Sequence, residues 1–337
     1  MSAGQDAEAS AAAALTAADN VPSPAVPAAL ASLDGVAPGA LPAGAPGKDG
    51  RLILEFVPSG GAGAAREGAA SGPGAVPGGH TAVARRFART PLHLTRTLTP
   101  DRAFPGMAVS YVQSTGGGLV QGDRCRVDVT CRSGAHALVT TQAATKSQRM
   151  DRGYALNDAH LAVDAGAVLE YLPDTVICHG GTRLHQNLEA RVVAGGRLIA
   201  SDCIVSGRLA RGEAHAYDLV TSVTRVEYDG RPLALDRLTL APGSGADPVL
   251  AAGSDALGSL VAVTGDASVT REVVAAMRAV DVPDVRIGAS SLHGGFGAWA
   301  RVLGAGGVEP ATRALHALWD AARRAMLGAP AFDLRKM

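Results

Sequence analysis

Between residues 81 and 241 the chain alternates apolar and polar positions in short bursts. The clearest burst is Arg124–Cys131. Its odd positions are Cys125, Val127, Val129 and Cys131, and its even positions are Arg124, Arg126, Asp128 and Thr130. A period of two puts one set on a buried face and the other toward water, which predicts a half-buried strand. The same reasoning predicts strands at 51–57, 107–113, 136–141, 159–164, 168–172, 188–193, 197–202 and 214–220. Glycine-containing turns separate them: Arg132-Ser133-Gly134, Asp164-Ala165-Gly166 and Ala194-Gly195-Gly196. Asp229-Gly230, between apolar runs at 223–228 and 232–240, predicts a tight hairpin.

The period changes near the C-terminus. Ser268 could cap a helix that buries Val273, Val274, Met277 and Val280. A second helix is expected from near Pro310 to Leu327, ending at Gly328. Leu315, Leu318, Trp319, Ala322 and Met326 form its stripe. The pattern is therefore mainly β, with two C-terminal helices.

Composition adds limits. Residues 1–49 are rich in Ala, Pro and Gly, bury little, and read as a disordered tail. Residues 58–79 have a similar composition and read as a flexible insertion. What remains, 50–337, reads as a single β-rich domain. Aromatics are only 4%, so Val, Leu, Ile and Ala must fill the core. Lys+Arg and Asp+Glu are both 31, which points to neither nucleic acid nor an anionic membrane as partner. Asp6 and Glu8 stand where a signal peptide wants positive charge, and no run approaches the roughly 18 apolar residues of a membrane span. The four cysteines form no Cys-x-x-Cys pair. Cys125 and Cys131 on one strand would be roughly 20 Å apart, so a disulfide framework is not expected and the cytoplasm is the default compartment.

Some positions are poor choices for a strand buried only for stability. Gly116-Gly117-Gly118 followed by Gly122-Asp123 resembles a phosphate loop, but no Lys-Ser or Lys-Thr follows, and a strand comes next instead of a helix. The glycines then serve a tight connection, with Gly122 at positive φ. Asp123 reads either as a turn stabiliser or as a functional carboxylate. Thr140-Thr141-Gln142 ends a strand with polar groups that could cap backbone or face a partner or water. Arg208 could pair with Glu213 or with a neighbouring carboxylate such as Asp202. Cys178-His179 is the one adjacent pair with transition-metal chemistry. Strand neighbours point to opposite faces, so a shared site would need a bend at Gly180-Gly181, with His185 joining through a loop.

Taken in order, several blocks resemble the UreD (UreH) family of urease accessory proteins. They are Gly117-Gly118 with Gly122-Asp123, Thr140 through Lys146, Gly166 through Pro173, Gly207-Arg208 with Gly212-Glu213, and Leu318-Trp319 through Arg323 to Gly328. The resemblance implies a β-helix-like stack of short strands. It implies a non-enzymatic chaperone for urease maturation by nickel insertion, bound to UreF, to the GTPase UreG and to the urease apoprotein. It implies no tightly bound cofactor, only transient Ni²⁺ on an internal path. On the matched motifs that path is expected to use Asp123, Thr141, Gln142 and Glu213. Gly117, Gly118, Gly122, Lys146 and Arg208 are assigned to structure or docking, because the two cations would repel Ni²⁺. The main rival is a β-helical carbohydrate-active enzyme with Asp123 and Glu213 as its carboxylate pair, although few aromatics exist to stack sugars. A nickel or zinc storage protein is the other alternative, and nine scattered histidines argue against it.

Overall fold

The computed structural model describes residues 26–32, 47–59, 79–242 and 253–334. Most of the expected tail and of the 58–79 insertion lies outside the described residues. In chain order the first strands are β1 (Asp49–Ser59), β2 (His80–Arg89), β3 (Leu92–Leu94), β4 (Ala108–Ser114), β5 (Arg124–Cys131) and β6 (His136–Thr141). Next come β7 (Thr145–Ser147), β8 (Ala155–Val163), β9 (Val168–Leu172), β10 (Val176–Cys178), β11 (Arg183–Val192) and β12 (Arg197–Val205). The last are β13 (Leu219–Tyr228), β14 (Arg231–Leu240), β15 (Ala256–Val263), β16 (Val285–Ser291) and β17 (Gly297–Gly304). Among the described residues three α-helices accompany them: the single turn α1 (Ala28–Ala31), then α2 (Ala267–Arg278) and α3 (Val308–Leu327).

The strands form two sheets. The first runs β14-β13-β11-β8-β5-β1-β2; the second runs β16-β17-β15-β12-β9-β6-β4-β3, with β7 and β10 attached beside β12. Successive strands change sheet: β5 lies in the first, β6 in the second, β8 in the first, β9 in the second. The neighbours β1, β5, β8, β11 and β13 are all parallel, as are β4, β6, β9 and β12. Each coil thus lays one strand on each sheet, as a β-helix does.

The predicted turns become stacked corners of these coils. Gly134, Gly166 and Gly195 all sit at positive φ, from 71° to 82°, where a Cβ would be strained. The Gly166 N–H donates to the Gly195 carbonyl at 3.0 Å, tying one corner to the next. Antiparallel strands finish the edges, including the β13–β14 hairpin, whose Asp229 and Gly230 both have positive φ.

Alternation in β5 is as read: Cys125, Val127, Val129 and Cys131 are buried and the residues between them half-buried. Val127, Val129, Leu161, Leu188 and Ala200 meet between the sheets as an inner core. The outer face of the second sheet carries a separate core under α2 and α3. In α2 the cap is Asp266, not Ser268: its carboxylate accepts from the Ser268 and Val269 N–H groups. Helix α3 ends as expected at Gly328, in the left-handed region. The strand expected at 214–220 begins only at Leu219, because Gly212 and His215 take positive φ and turn the chain first.

Within the region read as a tail, α1 places Leu30 fully buried against Tyr154, Leu156 and Leu219. No helix among the described residues is long and apolar enough to cross a membrane.

Candidate functional site

A cavity of about 290 Å³ enters between the sheets. Its mouth lies between the glycine loop at 116–118 and the segment 141–146, where Gly117, Gln142, Ala143 and Lys146 are exposed. The approach of these two segments depends on Gly118. An added Cβ there would stand 2.3 Å from the Lys146 carbonyl oxygen, and φ is +119°. The Leu119 N–H donates to that same carbonyl at 2.7 Å. The glycines therefore join β4 to β5 while letting the loop lie flat on β7.

Past the mouth, the walls are partly apolar: Val127, Val139 and Leu188. A polar row then crosses the gap between the sheets. Asn157 Nδ2 donates to Gln186 Oε1, and Gln186 Nε2 donates to Asp202 Oδ2, both at 3.5 Å. Asp202 Oδ1 accepts from the Ser259 hydroxyl. Asn157 is on β8, Gln186 on β11, Asp202 on β12 and Ser259 on β15, so the row joins adjacent coils and both sheets. Contacts of 3.5 Å are at the limit of a hydrogen bond, leaving these oxygens with unused capacity.

Asp202 is enclosed by protein, yet its surface is half-buried and not fully covered. The two facts agree because Asp202 borders the cavity. Burial raises its carboxyl pKa, and the Ser259 hydrogen bond and the Arg301 charge offset only part of that.

The four residues expected on one path are not brought together. Thr141 and Gln142 line the cavity mouth. The Thr141 hydroxyl accepts from the Asp174 N–H at 2.8 Å, and the Gln142 amide meets Gln113. Asp123 is buried elsewhere, as a turn stabiliser. Its carboxylate accepts from the Lys48 N–H at 2.7 Å and the Val120 N–H at 2.9 Å. Gly122 beside it has φ of 78°.

Glu213 borders a separate surface hollow with His179, Arg149, Arg183 and Asp218. There Arg208 grips Glu213 with Nε at 2.8 Å from Oε2 and a second bond to Oε1, and this hydrogen bonding lowers the Glu213 pKa. Gly207 lets the strap carrying Glu213 close in, since its added Cβ would meet the Glu213 carbonyl at 2.1 Å. Asp123 and Glu213 therefore share no cavity of the kind a glycosidase pair needs.

Cys178 and His179 point apart. Cys178 is buried, its thiol pushed up to about 12 by burial. His179 Nδ1 lies 2.9 Å from Gln148 Oε1, and burial, then the Arg208 charge, lower its pKa. His185 is buried with Nδ1 2.8 Å from Thr221 Oγ1. Among the described residues no three of His, Cys, Asp and Glu converge as a metal cage. All four cysteines are free and buried.

A second buried polar cluster lies on the opposite face of the second sheet. Glu170 of β9 accepts from Trp319 Nε1 at 2.6 Å, from Arg323 Nε at 3.2 Å, and pairs with His136 Nε2 at 3.0 Å. Arg323 also bonds Asp101 and the Pro330 carbonyl and lies against the rings of Phe104 and Phe332. Burial would raise the Glu170 pKa, but His136 and Arg323 outweigh it and the net shift is downward. This cluster fastens α3 to the sheet.

Sequence reasoning did not single out Asn157, Gln186, Asp202 or Ser259 as path residues. Their shared signal is weak: polar residues at inward positions of successive coils.

Known proteins resemble this chain over most of its length. The family model described as UreD urease accessory protein matches residues 70–336. Urease accessory protein UreD 2 of Streptomyces griseus subsp. griseus is 40% identical over 273 residues, covering 78% of this chain and 91% of the relative. Urease accessory protein UreD of Haloarcula marismortui is 35% identical over 296 residues, covering 87% and 92%.

Proposed function

The chain belongs to the UreD family of urease accessory proteins, and from that premise we propose that it is a cytoplasmic scaffold through which nickel reaches the urease apoprotein. In this reading it works in a complex with UreF and UreG. It hydrolyses nothing itself; UreG supplies the GTPase, in keeping with the missing phosphate-loop lysine of this chain. Ni²⁺ is cargo.

The observation that carries the reading is the polar row Asn157–Gln186–Asp202–Ser259, set between the sheets beside Val127, Val139 and Leu188 and the buried Asp158 and Asn187, and reached from an open mouth. A cation leaving water must trade its hydration shell for other oxygens, because a bare charge among Val and Leu is very costly. The Thr141 and Gln142 side chains offer oxygens at the mouth. Amide oxygens of Asn157 and Gln186 follow, and the Asp202 carboxylate supplies the one negative charge in the row. A single carboxylate with neutral oxygens binds a divalent ion weakly enough to release it. Asp123 and Glu213, already satisfied by N–H groups and by Arg208, serve the shape of the loops beside the path.

The test is co-expression with UreF, UreG and urease apoprotein. We expect this chain to co-purify with UreF. Ala143→Trp, which plugs the exposed mouth without touching the core, is expected to lower the nickel content of urease several-fold while the complex still assembles. Full nickel content with the mouth plugged would remove the cavity from the route. A chain that stays free of UreF would remove the scaffold role.

A further inference from the structure

The second sheet is broken at one level across neighbouring strands. β6 pairs with β9 only as far as Thr140 and Leu172, and β7 pairs with β10 only from Thr145 and Val176. β12 pairs with β9 as far as Ala200 and with β10 from Ile204. Among the described residues, Ser201, Asp202 and Cys203 thus have no ladder neighbour on that side, while on the other they pair with β15. Pro173 starts the break, since without an N–H it cannot carry the ladder on past Leu172. The rim is pinned. The Asp174 N–H donates to the Thr141 hydroxyl at 2.8 Å, and the Thr145 N–H donates to the Thr175 carbonyl at 2.9 Å. A cavity lies on each side. The one between the sheets reaches Pro173, Asp174, Ser201 and Cys203 from within. A second, of about 210 Å³, reaches the same four residues from the outer side, beneath the first half of α3. Its wall includes Thr312, His316 and Asp333, all exposed, so it opens at the surface.

We propose that this break is the second opening of the conduit: a divalent cation crosses the second sheet between 173–175 and 201–203 and reaches the surface at His316 and Asp333, beside α3. This rests on the conduit reading and gives its path a second end. An unbroken ladder has its N–H and C=O groups tied to one another and leaves no room for an ion between strands. The break replaces that ladder with side chains that carry oxygens. Asp202 stands on its inner side, Asp174 and Ser201 in it, and Asp333 at the outer opening. The His316 imidazole adds a ligand type that favours a transition metal such as Ni²⁺ over Mg²⁺ or Ca²⁺. These groups are strung out: among the described residues no three of His, Cys, Asp and Glu converge as a cage. A cation is therefore handed along them and not retained.

The test is the nickel content of urease after activation by the full chain with UreF, UreG and urease apoprotein, Ni²⁺ being the probe. Ser201 is buried, so Ser201→Leu fills the break from within and leaves the surface as it is. Thr312→Trp covers the outer opening from an exposed position on α3. Each is expected to cut urease nickel several-fold in a complex that co-purifies as the parent does. A role of α3 in docking alone would respond to Thr312→Trp and not to Ser201→Leu. If Ser201→Leu does not fold, the smaller Ser201→Val takes its place. Asp174→Asn is expected to lower the nickel content too, and Asp174→Glu, which keeps the charge, to restore it. Full nickel in the folded Ser201 variant, or in Thr312→Trp, would overturn the proposal. Ala143→Trp keeps the conduit reading distinct. Nickel lost with Ala143→Trp but retained with Ser201→Leu and Thr312→Trp removes this opening and leaves the conduit. Full nickel in all three removes both.

Discussion

Glu170 and Asp202 are both enclosed carboxylates on neighbouring strands of the same sheet, yet they sit in opposite circumstances. Glu170 faces α3 and receives Trp319, Arg323 and His136. Asp202 faces the gap between the sheets and receives the Ser259 hydroxyl, the Ser259 backbone and one long amide contact from Gln186. The first carboxyl is shifted down in pKa and the second up. A carboxylate whose lone pairs are all claimed can only hold structure. One held only by neutral donors beside a cavity can still attract a passing cation. Burial is common to both, so it is the charge of the donors, the Arg323 guanidinium at Glu170 against the Ser259 and Gln186 groups at Asp202, that separates a structural acid from an available one.

The comparison breaks most visibly at Arg323. Arg323→Met leaves Glu170 and Asp101 buried without their cation, and the loss is expected to be about 3–5 kcal/mol in denaturant unfolding. Retention of parent stability would mean that the cluster does not fasten α3.

A smaller and sharper effect comes from neutralising each acid in turn. The lowered pKa of Glu170 stabilises the fold above the ordinary carboxylate pKa, and that contribution is lost as pH falls through the folded value. Glu170→Gln should therefore be less stable than the parent at pH 7, by about 1–3 kcal/mol, with the gap closing in acid. Asp202 carries the opposite sign. Its raised pKa means that the unfolded chain ionises first as pH rises, so stability falls between pH 3.8 and the folded value. Asp202→Asn should be more stable than the parent at pH 7, and this gain should vanish as pH drops toward 3.8. Melting curves of the two variants against pH would cross the parent's trend in opposite directions. Parallel curves would erase the distinction.

Much of the scaffold was legible because it is local. The strands Arg124–Cys131, His136–Thr141 and Val168–Leu172 have the boundaries that alternation and turn residues dictate. The Asp229-Gly230 hairpin and the Gly328 helix stop follow from φ preferences of single residues. Strand β15 was harder. All eight of its residues are buried, because the inner core lies on one face and the helices on the other, so it shows no alternation. The coil itself was hidden as a repeat: its corners recur roughly thirty residues apart, but they share only a glycine and a turn, and side chains between them vary.

The site was less legible for a related reason. Asp123 and Glu213 stand beside conspicuous glycines and so attract notice, yet both are held by their own loops: Asp123 by Val120 three residues away, with the distant Lys48 N–H beside it, and Glu213 by Arg208 five away. Asp202 sits in an Ala-Ser-Asp-Cys run with no glycine beside it, and the sequence suggests for it only a pairing with Arg208. Its environment is made by Gln186, sixteen residues back, and Ser259, fifty-seven ahead. Only the register of β12 against β15, and the turning of β11 to face it, create that environment.

The central claim is that nickel passes Asp202 on its way to urease. It is tested most directly by counting nickel per urease active site after activation with the Asp202→Asn chain in the full accessory complex. The account predicts a complex that forms normally, an accessory chain at least as stable as the parent, and urease that is several-fold short of nickel. Urease filled to the parent level by that same stable complex would contradict it.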